Sequence, residues 1–239
     1  MRRFLAAALI LTAGCSGFAT PTPEDFRRLR LGAVRDSEPR ADATRYRVHM
    51  SVDSKWLAGE FDGVVMAHEG WSPLARAQLF GDLGPKVFDL LARPDRIAGY
   101  FAQTREGVDC LLPAEARPHP LLFLGVSLVE DFGAISEDRV LGIREVPDGW
   151  WLNLKPLVPG LVSEALWSRD GQTIERRFRW MYGVTWRQRW SSPEECSITA
   201  SGLVIRIRVL GSDALPQRPP RAFEITMPGD VRIVEGTRK

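Results

Sequence analysis

The chain has 239 residues, 44% hydrophobic and 26% charged, and its 32 lysines and arginines almost cancel 30 acids, leaving a formal charge of +2. This length is enough for one domain with a substantial core, and the interleaving of basic and acidic residues, with no run of five like charges, excludes a nucleic-acid binder. Three histidines and three cysteines, without a C-x-x-C or a Cys/His cluster, supply no metal pattern and call for no cofactor.

The first segment, "MRRFLAAALILTAGCSG", has a basic head at Arg2 and Arg3, an apolar run from Phe4 to Leu11 and small residues before Cys15. This is a secretory signal pattern, and its apolar run is too short to span a bilayer. The L-T-A-G-C string resembles a bacterial lipobox, which implies cleavage before Cys15 and acylation of that cysteine; an ordinary signal with an incidental cysteine is the alternative. Residues 1–14 are thus read as a lipoprotein signal peptide. More than one acyl chain on Cys15 would give a lasting membrane anchor. Ser16, by the same resemblance, implies the periplasmic face of the outer membrane. Residues 15–43 are polar, with Pro21, Pro23 and Pro39, and read as a tether containing a short helix at "EDFRRLRL".

Beyond it the dominant period is two. "RYRVHMSV" sets Tyr46, Val48, Met50 and Val52 against Arg45, Arg47, His49 and Ser51, and "GLVIRIRVL" sets Leu203, Ile205, Ile207 and Val209 against Arg206 and Arg208. Both patterns describe half-buried strands. "TIERRFRWMYGVTWRQRW" reads as a hairpin, and turn signals such as "GDLGP", "PDG", "RDG" and "MPGD" recur at short intervals. Many short strands with tight turns predict a mainly β domain over 44–239, a curled antiparallel sheet forming an unclosed barrel with helices over its open side.

One stretch, His119–Gly133, carries Leu121, Leu122, Leu124, Val126, Leu128, Val129 and Phe132 at helical spacing after helix-entry prolines. It is too apolar for a surface helix: it either plugs the curled sheet or covers a greasy cavity. Cys110 and Cys196 either pair in an oxidising compartment or stay as two buried thiols.

The lipobox, the polar tether and the strand that ends in "FGDLGPKVFDLL" resemble the LolA/LolB-like lipoprotein-carrier superfamily, in particular its outer-membrane receptor branch. The order of "RIAGYFAQTREGVDCLLP", the apolar helix, "RVLGIREVPDGWWLNLKP" and "LVSEALWSRDGQTIERRFRW" fits as well, over roughly positions 44 to 235. The resemblance implies an unclosed antiparallel barrel around a hydrophobic cavity for acyl chains. It also implies that Leu83, in the turn of "GDLGP", is an exposed membrane-inserting leucine; Asp82 departs from the family's proline there. Trp71, in the turn "HEGWSPL", is a second membrane-facing candidate.

Inward-facing residues that leave a barrel incompletely filled create a dry pocket. The candidate lining residues are Val65, Phe80, Phe88, Leu90, Ile97, Phe101, Trp150, Leu152, Trp186, Ile205 and Phe223, and their ordinary role is core. Catalytic patterns are lacking: His49, His68 and His119 stand outside any H-E-x-x-H, there is no G-x-S-x-G, and Asp62, Glu69, Glu130 and Asp131 read as solvated charges. The expectation is a non-enzymatic lipid or lipoprotein carrier, taking acyl chains or lipoproteins as cargo and served by a periplasmic carrier protein. The alternative is a structural or assembly lipoprotein of the envelope with a filled core. It would bind a protein partner through outward arginines such as Arg177, Arg179, Arg187 and Arg189.

Overall fold

The computed structural model describes residues 17–31, 43–55, 57–68, 73–81, 84–112, 119–132, 135–180, 183–215 and 221–233. In chain order the elements are α1 (Pro23–Leu29), β1 (Ala43–Ser54), β2 (Ala58–His68), β3 (Leu74–Phe80), β4 (Lys86–Arg93), β5 (Arg96–Phe101), β6 (Glu106–Leu111) and α2 (Pro120–Phe132). A 3-10 turn at Glu137–Arg139 then leads to β7 (Val140–Val146), β8 (Gly149–Leu154), β9 (Leu161–Ser168), β10 (Thr173–Trp180), β11 (Thr185–Ser192), β12 (Glu195–Ala200), β13 (Leu203–Leu215) and β14 (Arg232–Ile233).

The strands form one sheet in the order β14-β6-β5-β4-β3-β2-β1-β13-β12-β11-β10-β9-β8-β7. Two meanders, β1–β6 and β7–β13, are joined where β1 pairs antiparallel with β13 from Ala43–Leu215 to Ser54–Leu203. The sheet curls without closing, as the period-two pattern predicts, and among the described residues its one parallel contact is the short β14–β6 pairing. The edge strand β7 is covered by the N-terminal segment, where Ala19 and Ile143 exchange backbone bonds of 2.8 and 2.9 Å.

The apolar stretch after His119 is a helix, two residues shorter than predicted, buried on every side over Pro120–Glu130. It lies in the concave face and packs on β3, β4, β5 and β6. His119 starts it: its imidazole Nδ1 accepts the Leu121 N–H at 3.2 Å, satisfying a donor that a helix start leaves open. Burial pushes the imidazole down to about 4, so the ring is neutral and able to accept.

Two further clusters flank this core. At the β7–β9 end the concave face is covered by α1, whose Leu29 packs with Leu31 against Trp150, Leu152, Leu154 and Ala165. A capping box between Thr22 and Asp25 starts α1, and Trp167 Nε1 donates to the Leu29 carbonyl at 2.9 Å. Residues 17–31, predicted as part of a polar tether, therefore lie on the sheet, because the apolar face of α1 has aromatic wall to cover. On the convex face, Ala222 and Phe223 cover Leu91 and Ala43. There Arg76 bonds the Arg221 and Ala222 carbonyls and pairs with buried Asp89 at 2.9 Å. Burial opposes the charge of Asp89, but its bonds from Arg76, Lys86 and Gln78 outweigh this and hold the carboxyl below its ordinary range.

Candidate functional site

The concave side is packed in one part and open in another. Around Pro120 and Leu124 of α2, Met50, Val52, Leu57, Leu79, Phe88, Phe101 and Ile205 leave a void of only about 10 Å³, at most the space of one water. Near the other end of α2 the wall separates from the helix and leaves an open-mouthed cavity of about 770 Å³, within the ~300–1,000 Å³ typical of small-molecule sites.

Seven strands and the helix build this cavity. Tyr46 and Val48 come from β1, Val65 from β2, Ile207 and Val209 from β13, Cys196 from β12, Trp190 from β11, Ile174 and Arg176 from β10 and Trp167 from β9. Leu128, Asp131 and Phe132 of α2 close it, and the Phe132 ring stacks on Tyr46 with centroids 5.6 Å apart. Exposed Gln172 and Pro193, in the β9–β10 and β11–β12 turns, and Ser191 at the end of β11 mark its mouth. The wall is mostly apolar, since alternation in each strand turns one face inward.

A polar cluster lies where α2 meets β10 and β11. Glu130 is fully buried: Oε2 accepts from Arg139 Nη2 at 2.7 Å, and Oε1 from the Leu157 and Val158 amides at 2.7 and 3.3 Å. Arg176, whose side chain is 4% exposed, donates through Nη1 to the Glu130 carbonyl, and its Nε stands 3.6 Å from Asp131 Oδ1. Gln188 Nε2 donates to Asp131 Oδ2. Three buried atoms of this cluster have no hydrogen-bond partner: Asp131 Oδ1, Arg176 Nε and Gln188 Oε1. Burial raises the Asp131 carboxyl to about 6 and lowers the Arg176 guanidinium, each having lost the water that favours its charge. The expectation that Glu130 and Asp131 are solvated is corrected: both sit in the last turns of a helix surrounded by the sheet.

Among the predicted lining residues, Val65 faces the cavity. Phe88, Phe101 and Ile205 border the small void, while Leu90, Ile97 and Trp186 fill the core, with Trp186 Nε1 donating to Ser127 Oγ at 3.0 Å. Trp150 and Leu152 face the concave side but lie beneath α1. Two residues are on the other face: Phe80 follows inward Ala75, Ala77 and Leu79 by one position, and Phe223 packs on the convex side with Leu91. Cys110 and Cys196 are free thiols on strands with six others between them, so the unpaired alternative is the one found. Burial raises both thiols, Cys196 to about 12, which keeps it protonated and a poor nucleophile. Among the described residues no three His, Cys, Asp or Glu side chains group to hold a metal.

Cys15, Trp71 and Leu83 lie outside the described residues. The strand ends beside them are informative. His68 and Leu74, on either side of Trp71, are at the same end of the sheet as the turns at the cavity mouth, whereas Phe80 and Lys86, flanking Leu83, are at the opposite end.

Comparison with solved structures places this architecture in a known class. The chain superposes on a DUF1329 family protein from Desulfovibrio piger at a TM-score of 0.53 and 8% identity, covering 79% of this chain and 91% of that one. It superposes equally on a putative outer membrane lipoprotein-sorting protein domain from Vibrio parahaemolyticus, at a TM-score of 0.53 and 8% identity over 80% and 92% of the two chains. No protein-family model and no curated protein matches the sequence. The fold is the LolA/LolB-like unclosed barrel; at these identities the likeness concerns the fold.

Proposed function

We propose that this chain is a non-enzymatic lipoprotein, anchored through Cys15 to the periplasmic face of the outer membrane, that holds acyl chains of a lipid or lipoprotein in the cavity between α2 and β1, β2 and β9–β13. The observation that carries this reading is the cavity of about 770 Å³ with a mostly apolar wall, beside a region around Pro120 and Leu124 that is packed. The resemblance in fold to a putative outer membrane lipoprotein-sorting domain supports it.

The physics is exchange. A methylene gains about 0.8 kcal/mol on leaving water for either a dry pocket or a bilayer, so transfer between the two is nearly balanced and needs no chemical step. Direction comes from relative affinity. Trp71 and Leu83 remain the candidate membrane-facing residues of this scheme. A periplasmic carrier protein delivering the cargo fits this scheme.

The test is mass spectrometry of lipid co-purifying with the chain expressed without its first fifteen residues. Lipid at near-equal stoichiometry supports the carrier. Protein free of lipid, which also takes up none when it is added, favours the envelope scaffold. In that case the exposed Arg177, Arg179, Arg187 and Arg189 of β10 and β11 become the surface of interest.

A further inference from the structure

A purely greasy pocket needs no charges, yet this cavity ends on Asp131 and Arg176. A buried polar group without a partner costs on the order of 1–3 kcal/mol, and here one donor, Arg176 Nε, and two acceptors, Asp131 Oδ1 and Gln188 Oε1, are in that condition within one cluster. Arg176 Nε and Asp131 Oδ1, 3.6 Å apart, attract each other without forming a hydrogen bond. Asp131 and Arg176 both line the cavity, and one-fifth of the Asp131 side chain is exposed.

The charges already balance. Glu130 and Asp131 carry two negative charges, Arg139 and Arg176 two positive ones, and Arg176 touches both acids. An ionised head group entering here would bring a charge with no opposite partner into a site largely shielded from water, at a cost. A neutral group that both donates and accepts meets no such cost, because it offers an acceptor to Arg176 and a donor to Asp131, the two members of the cluster that line the cavity.

We propose that Arg176 and Asp131, backed by Gln188, form a subsite for the uncharged polar head of the bound lipid, a hydroxyl as in a monoacylglycerol, with the alkyl chain lying along Val65, Ile207 and Val209. This subsite rests on the acyl-binding reading above and adds a selectivity to it. It makes the cavity a reader of head-group chemistry, discriminating among lipids of equal chain length.

The experiment compares three probes of one chain length at pH 8: 1-monolauroylglycerol, laurate and methyl laurate, each titrated into the chain lacking its first fifteen residues while tryptophan fluorescence is followed. The subsite predicts that the monoacylglycerol binds about tenfold tighter than either of the others, the scale of one well-made buried hydrogen bond. In the Arg176→Met/Asp131→Leu double variant, which removes both charges and orphans neither, that preference disappears while methyl laurate affinity stays within about twofold. Asp131→Asn serves as a milder second variant if the double variant melts early, and is expected to weaken the preference. Equal affinities for the three probes, or a preference that survives in the variants, overturn the subsite and leave the acyl cavity standing. No binding of any probe overturns both.

Discussion

Gly125 of α2 rests on Ile97 of β5 so closely that a Cβ at position 125 would stand 2.8 Å from both Cδ1 and Cγ2 of Ile97. The missing side chain lets a helix lie against the inner wall of a curled sheet, and the tight contact fills one part of the barrel. Gly125→Val is therefore expected to destabilise the fold by about 1–3 kcal/mol through overpacking. Ile97→Ala in the same chain should recover part of that loss, a coupling that a double-mutant cycle of denaturant midpoints measures.

Packed and open parts of the concave side should answer oppositely to changes in volume. Leu124→Ala, beside the void of about 10 Å³, removes buried methyl groups from a filled region and should cost about 2–5 kcal/mol. Val209→Phe adds volume into open space at the cavity wall and should cost less than about 1 kcal/mol while weakening acyl binding severalfold. Thermal melts and lipid titrations on both variants check the contrast.

The ion pair of Glu130 and Arg139 holds the end of α2 to the β8–β9 connection through Lys155, Leu157 and Val158. Glu130→Ala leaves Arg139 charged and buried, and is expected to cost about 3–5 kcal/mol. Asp131→Asn, at a carboxylate that bonds only partly, should cost far less. Urea denaturation at pH 8 separates the two neighbours.

The pH response of stability contains two opposing parts. His119 is lowered to about 4 when folded, so the unfolded chain binds its proton first, and stability falls as pH drops from about 6.5 toward 4. Asp131 is raised to about 6, so the folded chain binds the proton first, and stability rises as pH drops from about 6 toward 3.8. Each contribution is on the order of 3 kcal/mol, and in the native chain they largely cancel. His119→Asn keeps an oxygen acceptor for the Leu121 amide and should make the protein more stable at pH 5 than at pH 7. Asp131→Asn should do the reverse. Denaturant midpoints at the two pH values show whether the signs are as derived.

Alternation made much of this architecture legible in the sequence. Strands β1, β10, β11 and β13 and the helix after His119 follow from spacing alone, because each must turn one face to the core. The layer above each inward residue is not written in its strand: Trp150 and Leu152 have the right parity, but α1, seven residues long and far away in the chain, covers them. Phe80 shows the sensitivity of period-two reading, since a slip of one residue reverses the face, and Ala75, Ala77 and Leu79 fixed it correctly. Phe223 lies in a segment without strand rhythm, where only tertiary packing assigns a side. Arg176 was readable: it shares parity with Phe178 and Trp180, and an arginine on the inward face of a strand signals a buried polar site.

The most direct measurement uses the two tryptophans in the cavity wall. A lauroyl-length chain carrying bromine at its end, titrated into the native chain, should quench tryptophan fluorescence saturably, and most of that quenching should vanish in a Trp167→Phe/Trp190→Phe variant that retains the native melting temperature. Quenching that never saturates, or that is unchanged when both rings are replaced, would contradict an acyl-binding cavity at this place in the fold.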